Sequence, residues 1–423
     1  MLDIRLIREK PDYVKERLAS RGGSDDALID EVLESDKLRR SLETRLQQLN
    51  ADRKRISKEI GMRRGKGEDA GDLENQVRAM GDDIANLNQA TADADAKQRE
   101  MRLGIPNLPP PGAPIGADAA ANPVVRTWGE KPALANPRSH IEIGAALGLF
   151  DLERAARMSG SAFACYTGAG ARLERALINF MLDLHTREHG YLEISPPFIT
   201  RREALIGTGQ LPKFEEQLYR CERDELFLVP TAEVPVTNLY REEILPASAL
   251  PKKFVAYTPC FRREAGSAGL GTRGLIRVHQ FDKVELVKLA TPETSYAELE
   301  SLTADAEKVL QLLGFHYRVI ELCTGDLGFG GAKTYDIEVW APGQNAYLEA
   351  SSCTNFEDFQ ARRLSLRFKD GDKNRFCHTL NGSGTALPRV YVALLESCQQ
   401  PDGSILIPEA LRSHFGADKI PAP

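Results

Sequence analysis

KKFVAYTPCFRREAG, residues 252–266, leads through the Gly-rich loop SAGLGTRG (267–274) into LIRVHQFDKVELVKL (275–289). Two runs dense in β-branched and aromatic residues, joined by glycines, predict two antiparallel strands and a long hairpin connection. Side chains alternate across a strand, so Arg262 and Glu264 fall on one face of the first. On the second, Arg277, His279, Phe281, Lys283 and Glu285 share a face opposite Ile276, Val278, Val284 and Leu286. The apolar face suits a core. The other carries guanidinium groups that bind phosphate, a ring that can stack a nucleobase, and carboxylates that can read an ammonium or a hydroxyl. An exposed, salt-bridged sheet face has the same pattern, so the hairpin alone does not choose between the two.

From Trp128 onward, helical stretches (172–189, 296–313) alternate irregularly with strand-like runs (252–261, 275–289, 334–340). Strand pairs without helical crossovers predict an α+β domain on an antiparallel sheet. The chain before Trp128 differs. Of 16 Phe, 11 Tyr and 2 Trp, none lies between Tyr13 and Trp128. Aromatic side chains carry the largest burial payload, so a segment without them can hardly fill a compact core and should be extended. Leu73, Val77, Met80, Ile84, Leu87, Thr91, Ala94, Gln98 and Met101 recur at spacings of 4 and 3. Leu42, Leu46, Leu49, Arg53, Ile56 and Ile60 keep that spacing upstream, with Arg53 the polar intruder. These seams predict an antiparallel coiled-coil hairpin turning at RRGKGEDAGD (63–72), with helices of about 30 residues and an arm roughly 45 to 50 Å long. The division expected is an N-terminal domain at 1–102 with its arm at about 27–101, a Pro/Gly-rich linker at 103–127, and a second domain at 128–423.

At 423 residues the chain has room for two or three domains and a sizeable core. Its net charge of -6 argues against attachment to nucleic acid by overall charge. That total hides a strip. Residues 37–66 hold eleven basic and three acidic side chains, a net +8, which is either a solvated coiled-coil surface or a phosphate-binding one. Seven scattered cysteines without a CxxC pair indicate neither a disulfide framework nor a zinc ribbon. The N-terminus has no apolar leader, and no run approaches the roughly 18 apolar residues of a membrane span, so a cytoplasmic protein is expected.

Further on, the stretch YLEASSC (347–353) sets a carboxylate beside hydroxyls, the hard oxygen ligands Mg²⁺ prefers when it also holds phosphate; a strand-end turn would look the same. NGSG (381–384), followed by Arg389 and an apolar helical run, reads as a small-residue turn admitting a ligand, or as an ordinary helix entry. Thr231 ahead of Glu233 fits a helix cap. His185 and His189 are four apart on an amphipathic helix, more in keeping with a surface pair than with zinc, since no third ligand is near. Neither a GxxxxGK[ST] loop nor a GxGxxG after a strand occurs, which argues against P-loop and Rossmann chemistry.

Taken in order, these segments resemble one family, the bacterial-type seryl-tRNA synthetases of class II. GYLEISPPFI (190–199) is similar to its first motif, FRREAG (261–266) with TRGLIRVHQFDKVEL (272–286) to its second, and NGSGTALPR (381–389) to its third. TAEVPVTN (231–238), CTGDLGF (323–329), YDIEVW (335–340) and SSCTNFEDFQARR (351–363) fall into place between them, and with the N-terminal hairpin the resemblance covers nearly the whole chain.

The resemblance implies a cytoplasmic homodimer that activates L-serine with ATP and Mg²⁺ and transfers it to the 3′ end of tRNA(Ser), with tRNA(Sec) an optional second acceptor. It implies catalytic roles for Arg262, Glu349 and Arg389, with Arg262 on the α-phosphate and the serine carboxylate. ATP would contact Arg262, Arg263, Glu264, Arg277, Val278, Phe281, Glu349, Ala350, Ser351, Ser352 and Arg389, with the adenine between Phe281 and Arg389. Thr231, Ala232, Glu233, Arg262, Glu285 and Ser383 would surround serine, and Glu349 with Ser352 would hold Mg²⁺. On the arm, Arg53, Lys54, Arg55, Lys58, Arg63, Arg64 and Lys66 would meet the tRNA. Leu270, Gly271, Leu348, Ala350, Thr385 and Pro388 depart from the family's commoner residues, which admits a specialised or inhibitor-resistant paralogue. Two alternatives stand beside this reading: a homologous ligase loading an amino acid onto a carrier protein, and a non-catalytic RNA-binding paralogue.

Overall fold

The computed structural model describes residues 1–23, 26–265 and 273–422. Leu270 and Gly271 lie outside the described residues. The chain divides into two compact units: one of 2–19 with 23–106, the other of residue 1, 20–22 and 107–423.

In the first unit, two short helices, α1 (Ile4–Glu9) and α2 (Pro11–Ala19), precede a long antiparallel pair, α3 (Asp26–Gly65) and α4 (Gly71–Leu103). At 40 residues α3 runs to about 60 Å, longer than the spacing suggested, because the helix begins well before the first seam residue. Met80, Ile84, Ala94 and Gln98 on α4 are buried, as is Ile56 on α3, while Arg53 is exposed. The polar seam residue Gln98 has a partner. Its Nε2 donates to Asp36 at 3.2 Å, and Arg8 (2.7 and 3.0 Å) and Arg40 (3.0 Å) donate to the same carboxylate. Burial would raise the Asp36 pKa, but these hydrogen bonds and charges carry it below the usual range.

The second unit is built on an eight-stranded sheet: β1 (Val124–Trp128), β2 (Leu192–Glu193), β3 (Lys252–Phe261), β4 (Gln280–Ala290), β5 (Tyr317–Glu321), β6 (Lys333–Ala341), β7 (Ala346–Asn355) and β8 (His378–Ala386). The spatial order is β1-β5-β6-β7-β8-β4-β3-β2, antiparallel except where β2 joins β3. Val124 to Thr127, expected in the linker, therefore belong to a sheet strand, paired with β5. Helices α5 (Ala169–Arg187), α6 (Ser295–Leu313) and α7 (Leu387–Ser397) bury apolar stripes against this sheet. α6 shows the spacing that drives this, with Leu299, Leu302, Ala306, Val309, Leu310 and Leu313 buried.

The hairpin that opened the sequence reading is partly different. The second strand starts at Gln280, and Arg273 to Arg277 form a turn and a bend. The Leu275 amide leaves the ladder and donates to His140 Nε2 at 3.3 Å. The His185/His189 pair also needs correction: His185 has no exposed surface, because it continues the stripe of α5 facing the sheet. Its ring packs on the Gly384 backbone, and burial pushes its pKa down to about 3. Among the described residues no helix is long and apolar enough to cross a membrane.

Candidate active site

A cavity of about 530 Å³ opens against the sheet. The β3–β4 hairpin contributes Arg262, Glu264, Arg277, Val278, Phe281, Lys283 and Glu285; β7 contributes Glu349, Ser352 and Thr354; β8 contributes Asn381 and Ser383. Thr231, Glu233 and Arg389 complete the set of expected side chains that line it.

Two irregularities in register place them. Glu338 pairs with Glu349 but Ile337 with Ser351, leaving Ala350 as an extra, bulged residue. Strict alternation would put Glu349 and Ser352 on opposite faces; the bulge turns both into the cavity. In the same way Glu285 pairs with Ser383 and Val284 with Thr385, so Gly384 bulges. NGSG is thus strand, not turn. Its glycines answer to the core behind it: a Cβ on Gly382 would meet Leu302 Cδ2 at 2.4 Å, and one on Gly384 would meet His185 Nε2 at 2.9 Å. Asn381 and Ser383 face the cavity.

Four expected residues do not line the cavity. Ala232 and Ala350 are fully buried in the packing behind it, Ser351 Oγ donates to the Ser383 carbonyl at 2.6 Å, and Arg263 is exposed. Each neighbours a cavity residue in sequence, and the backbone turns alternate side chains away. Leu348 likewise packs toward the apolar core. Thr385 is buried with its hydroxyl on Met181 Sδ, and Pro388 sits in the first turn of α7, where its missing amide proton costs nothing.

Arg262 Nε donates to the Pro230 carbonyl at 3.2 Å, and its guanidinium lies 5.1 Å from the Phe281 ring centre. Arg277 Nε pairs with Glu264 at 3.1 Å, and Arg389 Nη1 donates to the Glu349 carbonyl at 2.8 Å while lying 3.2 Å from its carboxylate. The buried Glu285 carboxylate pairs with Lys283. Thr231 Oγ1 accepts from the Glu233 amide at 3.2 Å, so the expected cap also sits in the site. Glu233 Oε1 accepts from Gln360 Nε2 at 2.6 Å. Burial, then the Glu285 charge, push the Glu233 pKa up to about 7.

These groups form an anion-binding strip beside a buried pair of carboxylates, the form a nucleotide next to an amino acid requires. A family model described as the class II tRNA synthetase core domain (G, H, P, S and T) matches residues 216–398, and the seryl-tRNA synthetase N-terminal domain matches 1–109. The serine–tRNA ligase of Akkermansia muciniphila is 61% identical over 99% of both chains, and that of Carboxydothermus hydrogenoformans 52% over 99% of both. The chain belongs to the seryl-tRNA synthetase family. The crystal structure of the Pyrococcus horikoshii seryl-tRNA synthetase complexed with ATP superposes with a TM-score of 0.94 at 37% identity, covering all of both chains. A cytoplasmic serine–tRNA ligase from Naegleria fowleri complexed with AMP gives 0.89 at 27%. The protein is a class II aminoacyl-tRNA synthetase, a serine–tRNA ligase.

For a seryl-tRNA synthetase, sequence reasoning missed three features of this site. Lys283 was on the loaded face but had no role, although it neutralises Glu285. Gln360, in the short helix Phe359–Leu364, holds Glu233. Asp336 stands opposite Ser352 in register, and its Oδ1 is buried without a hydrogen-bond partner. Burial, then the neighbouring Glu349, push its pKa up to about 8. Two crowded carboxylates beside a hydroxyl suit a hard divalent cation. Among the described residues no group of three or more His, Cys, Asp or Glu could hold a metal, so such an ion would share its ligands with substrate phosphates.

The buried Glu233 carries a pH-dependent cost. Its folded pKa lies above its unfolded one, so the folded state binds the extra proton and stability falls as pH rises from about 4.5 to about 7. Glu233→Gln keeps an oxygen for Gln360 and removes the charge. The variant is expected to gain on the order of 2 to 3 kcal/mol at pH 8, the gain closing toward pH 5, while losing serine-dependent activity. Thermal unfolding across pH checks this; a gain that does not depend on pH would contradict it.

Proposed function

We propose that the cavity binds ATP and L-serine, condenses them to seryl-adenylate, and passes the seryl group to the 3′ end of tRNA(Ser), with tRNA(Sec) an optional second acceptor. One observation carries this reading: four segments distant in sequence bring Arg262 over Phe281, Arg389 against Glu349, and Glu233 near Glu285 around one cavity. The ATP held by the Pyrococcus relative supports the nucleotide's place.

Arg262 binds the α-phosphate and the serine carboxylate, Arg277 the γ-phosphate, and Glu264 the adenine edge. Phe281 and Arg389 sandwich the base. Glu233 and Thr231 take the ammonium; Glu285 and Ser383 read the hydroxyl. A serine carboxylate is ionised at neutral pH, so its attack on the α-phosphorus needs no general base and no protein nucleophile. The rate comes from holding the two reactants in line and from cationic groups aimed at the charge that develops. Glu349 and Ser352 would hold Mg²⁺, with Asp336 behind them; the ion supplies charge neutralisation on the phosphates. Release of pyrophosphate leaves the adenylate for the tRNA hydroxyl.

The chain acts as a homodimer in this proposal. Leu192 on the edge strand β2, and Phe198 and Ile199 a few residues after it, are 59%, 39% and 47% exposed, and a second copy would cover them.

Arg262→Ala tests the assignment. Loss of one contact to developing charge typically costs a factor of about 10² to 10³, with the fold retained because Arg262 is on the cavity wall, not in the core. Serine-dependent pyrophosphate exchange within tenfold of the parent would refute it.

A further inference from the structure

The cavity wall includes a loop that makes little secondary structure of its own. Leu327-Gly-Phe-Gly-Gly331 follows the CTGD turn, and Gly328, Phe329, Gly330 and Gly331 all line the cavity. Its five carbonyls are in succession, and each receives a hydrogen bond from one of two residues far away in sequence. Arg21 Nη2 donates to the carbonyls of Leu327 and Gly328, both at 2.8 Å, and Nη1 to that of Gly331 at 3.3 Å. The Asn107 backbone amide donates to Phe329 at 2.9 Å, and its Nδ2 to Gly330, also at 2.9 Å. Asn107 Nδ2 reaches the Phe356 carbonyl as well, at 2.9 Å.

Glycine leaves a loop with many backbone conformations, and polar backbone groups against a cavity must find partners. A planar guanidinium with several donors can hold three carbonyls at once, which an ammonium on a flexible stem does less well. What the clamp fixes is legible from the next contacts. The Phe329 ring meets Phe359 at 5.8 Å and Phe214 at 6.0 Å, both edge to face. The residue after Phe359 is Gln360, which donates to Glu233 Oε1 and, at 3.1 Å, to the Thr208 carbonyl. The loop thus braces the wall that carries Glu233.

We propose that Arg21 and Asn107 are positioning residues for the serine side of the cavity, acting through the Leu327–Gly331 loop. The inference rests on the serine assignment made above for Glu233. Neither residue touches the cavity, so their effect is on the geometry of the amino-acid site and not on the chemistry of the phosphates.

The test uses the full chain with Arg21→Ala, Arg21→Lys and Asn107→Asp, reading pyrophosphate exchange as a function of serine and of ATP. The expected result is a serine KM raised about tenfold in Arg21→Ala and in Asn107→Asp, with the ATP KM within about twofold of the parent. Arg21→Lys, which keeps one or two of the three bonds, should recover part of the loss. Hydrogen exchange at residues 327–331 should quicken in the same order. Arg21 is only partly buried, so its variants remain folded by circular dichroism. Unchanged serine KM in folded Arg21→Ala and Asn107→Asp, or serine and ATP KM rising by the same factor, would overturn the proposal. A parent enzyme that shows no serine-dependent exchange would instead overturn the serine assignment, and the hydrogen-exchange arm would still report on the clamp.

Discussion

Alanine is expected to be activated at least about 10⁴-fold less efficiently than serine, measured as kcat/KM in pyrophosphate exchange. The two amino acids differ by one hydroxyl, and a pocket that merely had room for serine would separate them poorly. A pocket built to hydrogen-bond that hydroxyl separates them by about 10⁴ to 10⁵, because its buried polar groups go unpaired when the hydroxyl is missing. Glu285 meets this condition. It is 2% exposed, lines the cavity, and is held in place by Lys283 as its counter-ion. Ser383, opposite it in register across β4 and β8, adds a second polar group. Threonine keeps the hydroxyl and must be excluded by its methyl group, a weaker discrimination of about 10 to 200-fold for one carbon. Glu285→Ala should therefore lower serine activation steeply and alanine activation little, collapsing the ratio. Comparable rates with serine and alanine in the parent enzyme would show that the hydroxyl is not read by Glu285.

That ratio depends on groups whose types were legible in the sequence and whose placement was only partly so. Period-2 alternation correctly put Phe281, Lys283 and Glu285 on one face, because β4 is regular there. It failed from Arg277 to His279, where the chain is not strand, and it could not see the extra residues at Ala350 and Gly384. A bulge is decided by what packs on both sides of the sheet, here Leu302 and His185 behind β8, and neither neighbour is near it in sequence. The arm was easier to read because a heptad seam is a local property: α4 buries Met80, Ile84, Ala94 and Gln98 at the predicted spacing. The clamp at Arg21 and Asn107 lay beyond any local pattern. Its two side chains are 86 positions apart and donate to carbonyls, which every residue carries.

Excising Ala27 to Met101 and closing the gap with a short linker should leave serine-dependent pyrophosphate exchange near the parent level while charging of tRNA(Ser) falls by about 10³ or more. The cavity side chains all belong to the unit formed by residue 1, 20–22 and 107–423, and the excision leaves Arg21 and Asn107 in place. The loss of charging follows from the proposed tRNA contacts on α3. Phosphate contacts release counterions, so tRNA affinity of the parent should fall steeply with salt, while serine binding changes little. The arm cations should not contribute equally. Arg55, Arg63 and Arg64 are already paired with Asp52, Glu59 and Glu74, so a phosphate must displace a carboxylate before they gain anything. Among the described residues, Arg53, Lys54, Lys58 and Lys66 are exposed and have no such ion pair. Lys54→Ala or Lys58→Ala should therefore flatten the salt dependence of charging by about one unit of slope each, and Arg55→Ala by less. Charging that survives the excision undiminished would remove the arm from the reaction and favour an acceptor that needs no arm, such as a carrier protein. Loss of exchange together with charging would show instead that the two units do not function independently.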